Sequence, residues 1–132
     1  MNAAWLKLIG TTEDPCPEVY ERTYADFAKK PRHVTLGDRM ILYAVGGRKC
    51  VFADAEVTSE IYGSGRRRWP YRVDLRYSVN LPISSGVHID KVSTPRRDLL
   101  KSVRQASYVK LAPEEYNRAV NRLRAAPRSS GA

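Results

Sequence analysis

The chain has 132 residues, 42% of them hydrophobic and 28% charged, with a net charge of +9. These values fit one soluble globular domain with enough chain for a core. No apolar stretch nears the ~20 residues of a membrane helix. Lys7 inside the apolar part of MNAAWLKLIG, with no basic leader, argues against a signal peptide, so the expected location is cytoplasmic.

Trp5–Ile9 is a short apolar run and reads as a first strand. Thr11–Pro17 holds Asp14-Pro15 and Pro17 and reads as a loop. Glu18–Lys29 is predicted helical, because Val19, Tyr20, Tyr24 and Phe27 recur at spacings near one helical face, and Pro31 ends it. Gly37-Asp38 turns into the strand Arg39–Val45, which is apolar on both faces and belongs at the centre of a curved sheet. Gly46-Gly47 suggests a two-residue hairpin into a strand over Lys49–Ser59, with Val51, Ala53, Ala55 and Val57 on one face. Gly63–Arg68 reads as a flexible loop. Beyond it, Tyr71, Val73, Leu75, Tyr77 and Val79 alternate with polar residues, the clearest period-two signal in the chain.

Leu81–Val92 is irregular. Arg96–Gln105 is predicted helical and Ser107–Leu111 a last strand. Pro113 followed by Glu114 and Glu115 opens a final helix with Tyr116, Ala119, Val120 and Leu123 as its apolar stripe. Residues 1–126 thus form a single domain, and 127–132 are expected to be a flexible tail. Cys16 and Cys50 are isolated and read as free thiols; His33 and His88 lack partners at metal-ligand spacing, so neither a metal nor a cofactor is expected.

The charge is uneven. Residues 1–60 hold eight basic and nine acidic side chains, whereas residues 61–110 hold eleven and three. A basic block of this kind is the footprint of a phosphate-bearing partner, or else a solvated basic face. It begins at Arg66-Arg67-Arg68-Trp69, where cations adjoin an aromatic ring at a strand entrance.

Several segments in order carry a family resemblance: WLKLI with its Thr-rich loop, LGDRMILYAV, VFADAEVTSEIY, RRRWPYRVDLRY and LLKSVRQASYVKLAPEEYNRAV. Together they span about Trp5 to Leu123, and the series resembles the EVE domain of the PUA-like superfamily, related to YTH readers and ASCH domains. The resemblance implies an α+β fold: a PUA-like pseudo-β-barrel of about five to six strands with peripheral helices. It also implies a pocket for a flipped-out, modified base in DNA or RNA. A base removed from its stack must be restacked on aromatic faces and its phosphates met by cations.

On that resemblance Trp69 is the first choice for a pocket wall, and Tyr24 or Phe27 stands where the family carries a tryptophan on the opposite side, Tyr24 being preferred. Thr11 and Thr12 follow the first strand, where small polar groups contact the base. Tyr43 is a candidate floor, and Gln105 a candidate base contact. Arg66, Arg67, Arg68 and Arg104 are the candidate phosphate ligands. Each also has a plain alternative in core packing, a local turn or a solvated surface. The related ASCH branch includes amidohydrolases acting on modified nucleosides through a lysine and an acid near a Gly-x-Lys-x-x-Glu pattern. That pattern is absent here, and no paired carboxylates or Ser/His/Asp set stands out, so a binding module is expected rather than an enzyme. A protein-interaction domain with a basic face is the remaining alternative, and the sequence leaves the oligomeric state open.

Overall fold

The computed structural model describes residues 2–126; the expected tail at 127–132 lies outside them. The strands are β1 (Ala4–Ile9), β2 (Tyr24–Phe27), β3 (Arg39–Ala44), β4 (Cys50–Val57), β5 (Tyr62–Gly63), β6 (Tyr71–Asn80), β7 (Val87–His88) and β8 (Tyr108–Leu111). Two helices, α1 (Leu99–Val103) and α2 (Pro113–Ala125), complete the fold. The sheet runs β2-β6-β4-β3-β1-β8, with β5 beside β6 and β7 beside β4. β1 and β3 are parallel and every other pairing is antiparallel. The result is a curled mixed sheet with two helices, an α+β half-barrel of the PUA-like kind.

β3 sits between β4 and β1 and is apolar on both faces, as its sequence requires. Met40, Leu42 and Ala44 join the core on the concave side with Trp5, Phe52 and Val73. Ile41 and Tyr43 join the core under the helices with Leu6, Leu99, Val120 and Leu123. The edge strands β2 and β8 do not pair. Tyr108 of β8 spans the gap, its ring 5.4 Å from Phe27 and 5.7 Å from Trp5, and its hydroxyl accepts from the Arg32 amide at 3.2 Å. Side chains rather than a ladder thus close the barrel at this seam.

Polar groups fix the frame. Buried Asp38 accepts from the Trp5 indole at 2.8 Å and from the Ala3 and Thr35 amides at 3.0 Å, which sets the register of β1. Buried Asp54 takes Arg39 at 2.8 Å and the Tyr116 hydroxyl at 3.0 Å, tying α2 to the sheet. Glu115 accepts the Ala112 amide at the start of α2 at 2.7 Å and pairs with Arg97. Among the described residues no buried side-chain nitrogen or oxygen lacks a partner, as stable interiors require.

Three expectations are corrected. Residues 18–29 are not a helix: Tyr24–Phe27 is an edge strand paired with Tyr71–Asp74, and the stretch before it is irregular. Tyr24 and Phe27, three apart, would share a helical face, but in the strand Ala25 and Phe27 face the core at period two and Tyr24 lies on the opposite side. The β3–β4 connection is a five-residue loop, because Ala44 pairs with Cys50 and Lys49 takes a positive φ of 52°. The basic loop is stapled rather than loose: the Ser64 hydroxyl bonds the Trp69 carbonyl and accepts the Arg66 amide at 2.9 Å, and the Ser64 amide donates to the Pro70 carbonyl at 2.9 Å.

Candidate nucleic-acid interface

A recess of about 100 Å³ opens beside the seam, where β1 runs out into the Gly10–Thr11 turn. That is several times the ~15 Å³ needed for one water. Its walls come from Lys7 and Thr11, from Tyr20 and Arg22 ahead of β2, from Asp26 of β2, and from Arg66 and Trp69 of the stapled loop.

Trp69 is half-buried, so one part of its indole packs and another remains available. Across from it lies Lys7. The alternation of β1 points Trp5, Lys7 and Ile9 to the concave side, so Lys7 is only 2% exposed. Its ammonium lies 4.7 Å from the Phe27 ring centroid and 5.8 Å from that of Trp69, and donates to the Leu8 carbonyl at 3.1 Å. Burial lowers its pKa from 10.5 to about 8, against the pull of Asp26 in the other direction.

Asp26 organises the cations around the recess. It accepts Arg72 at 2.6 and 3.0 Å and Arg66 at 2.8 Å. Burial would raise its pKa, but the hydrogen bonds from Arg72 and Arg66 outweigh that and lower it. The Arg72 guanidinium in turn lies 3.6 Å from the Tyr24 ring centroid, a cation–π stack. Tyr20, buried, donates from its hydroxyl to the Tyr24 carbonyl at 2.8 Å, and burial pushes its phenol pKa up.

The residues expected at the site divide. Trp69, Thr11 and Arg66 meet at the recess. Phe27 is a buried backing for Lys7 rather than an open wall. Tyr24 is not among the lining residues, its ring being occupied by Arg72. Arg67 and Arg68 are exposed and, with Arg66, Trp69, Thr11 and the acidic Glu13 and Asp14, line a groove of about 510 Å³ outside the recess, in which arginines outnumber carboxylates three to two. Thr12, Tyr43 and Arg104 line a different groove of about 640 Å³, which meets the recess at Leu8. Gln105 is exposed and lines neither cavity.

Sequence reasoning passed over Lys7, Asp26 and Arg72. Lys7 carried a readable signal, because a lysine in phase with Trp5 and Ile9 on a strand must face inward. Asp26 and Arg72 carried none, since their partnership depends on β2 pairing with β6. Among the described residues no cluster of His, Cys, Asp or Glu could hold a metal ion, and no helix is long and apolar enough to cross a membrane.

No protein-family model matches the chain, and no curated protein is similar to it by sequence. Several solved structures are similar in fold. Rpa0253 from Rhodopseudomonas palustris has a TM-score of 0.64 at 17% identity, over 91% of this chain and 92% of its own. Atu2648 from Agrobacterium tumefaciens has a TM-score of 0.61 at 18% identity, over 96% of this chain and 98% of its own. An ASCH protein from Zymomonas mobilis has a TM-score of 0.60 at 15% identity, over 96% of this chain and 97% of its own. Closed at its seam by Tyr108 and backed by two helices, the chain has the PUA-like barrel fold that it shares with this ASCH protein.

Proposed function

We propose that the chain is a nucleic-acid-binding module that takes a single flipped-out, modified base of DNA or RNA into the recess beside Trp69. The observation that carries this reading is the join between the recess and the basic groove. One half-buried indole borders both, with Lys7 and Thr11 on its inner side and Arg67 and Arg68 on its outer side. A base on the indole gains stacking, its edge meets donors, and its flanking phosphates meet cations. Arg66, held by Asp26, keeps the loop in place between the two. Both cysteines are free thiols, which suits the cytoplasmic location we propose.

The test is fluorescence anisotropy with single- and double-stranded oligonucleotides carrying a panel of modified bases, on wild type and Trp69→Ala. Salt-dependent binding that the variant weakens is expected. Equal binding by the variant on every oligonucleotide refutes the role of Trp69.

Lys7 favours a second reading, an amidohydrolase acting on modified nucleosides. A buried amine with a pKa of about 8 is a usable proton acceptor near neutral pH, and Thr11 and Asp26 line the same recess. Incubation with acylated nucleosides and product analysis separates the two, because steady turnover contradicts a pure reader.

A further inference from the structure

We propose that the recess selects bases bearing an exocyclic carbonyl (guanine, hypoxanthine, uracil, thymine) over those bearing an exocyclic amine in the same place, and that Lys7 makes the distinction. This rests on the reading that the recess receives a nucleobase. An ammonium has three donors and no acceptor. One donor of Lys7 goes to the Leu8 carbonyl, and among the described residues none goes to a carboxylate. Asp26, whose charge acts on Lys7, has both oxygens engaged by Arg66 and Arg72. The ammonium lies near the Phe27 and Trp69 rings in a residue only 2% exposed, so it has little freedom to swing to solvent.

The neighbouring groups reinforce the bias. The Thr11 hydroxyl oxygen accepts from the Asp14 amide at 2.9 Å, which leaves its proton to donate. Arg22 and Arg66 add only donors. Of the side-chain acceptors at the recess, Asp26 is already engaged by Arg66 and Arg72, the Tyr20 hydroxyl is tied to the Tyr24 carbonyl, and Asp14 is exposed and therefore hydrated. A carbonyl brought to Lys7 replaces the water it displaces. An amine brought there sets donor against donor and leaves both unpaired where water is excluded.

The experiment uses short single strands that are abasic at every position but one, titrated into the full chain at low salt. The single base is hypoxanthine or adenine, then uracil or cytosine. Each pair is matched in shape and differs in the exocyclic group, carbonyl against amine, and in the ring nitrogen beside it, which is an N–H next to the carbonyl and an acceptor next to the amine. Wild type is expected to bind the hypoxanthine and uracil strands about tenfold more tightly than their partners, the scale of one good edge contact. Lys7→Met is expected to bind the two members of each pair alike. Equal binding of both members by wild type, or a preference that survives in Lys7→Met, overturns the inference while leaving base binding intact. If no single base, neither these four nor those of the modified panel, binds better than a fully abasic strand, the nucleobase reading fails and takes the inference with it.

Discussion

Replacing Lys7 with methionine should make the protein more stable, by an amount that depends on pH. Methionine keeps the unbranched apolar stem and drops the charge. Lys7 is 2% exposed, and its pKa falls from 10.5 to about 8 on folding. At ~1.4 kcal/mol per tenfold change in proton affinity, holding the charge in the fold costs about 3 kcal/mol at neutral pH. For a domain of this size that corresponds to roughly 10 °C in Tm. Because the folded pKa lies below the unfolded one, the unfolded chain binds more protons between pH 8 and 10.5. Wild-type stability therefore gains over that window relative to the variant, while the full cost persists below pH 8. Asp26, Asp14, Tyr20, Arg22 and Arg66 also line the recess, and Tyr20 titrates upward of its usual range. Since both proteins carry these groups, the difference between their curves isolates Lys7. Urea unfolding followed by far-ultraviolet circular dichroism at pH 7, 8, 9 and 10 measures it. A variant no more stable than wild type at pH 7, or a gap that stays constant to pH 10, refutes the reasoning.

Other perturbations separate grip from frame. Neutralising Arg67 and Arg68, which are exposed beside Trp69, should weaken binding of all single strands alike and flatten the salt slope by about 1.4, at ~0.7 per lost phosphate contact; a loss confined to one base would contradict this. Trp69→Ala should weaken base-dependent binding by about 1–3 kcal/mol in anisotropy titrations. Asp54→Ala strips Arg39 and Tyr116 of their common acceptor and should destabilise the fold by about 2–4 kcal/mol in urea unfolding. Gly46→Ala should lower Tm through about 1–3 kcal/mol of strain, because φ is +134° and a Cβ would stand 2.6 Å from the Pro15 side chain.

The strands of the frame were legible because each carries a pattern that one environment explains. β3 is apolar from Met40 to Ala44 and central, and β6 alternates between core and solvent. Edge strand β2 was not legible. Four residues give too few repeats to separate a period of two from one of 3.6, and the choice is made by pairing with a strand some fifty residues away, a tertiary effect. The hairpin was misjudged for a related reason: two glycines mark where positive φ is allowed but not how many residues the turn needs, and Lys49 adopts it too. At the site, Trp69 and the arginines stood out by composition. The Asp26 cluster did not, because it joins residues that only the β2–β6 ladder brings together.

The place of β1 has a consequence for the order of events in time. Leu6 lies against Ile41 on one side and Val109 on the other. The first contact can form once forty-odd residues of chain exist, but the second waits for roughly a hundred, a separation of the kind that slows folding. Lys7 belongs to the same strand, so its desolvation is completed late. A nascent chain would keep that ammonium hydrated until β8 and Tyr108 arrive, and would meet the penalty of burying it only when most of the favourable packing is already in hand.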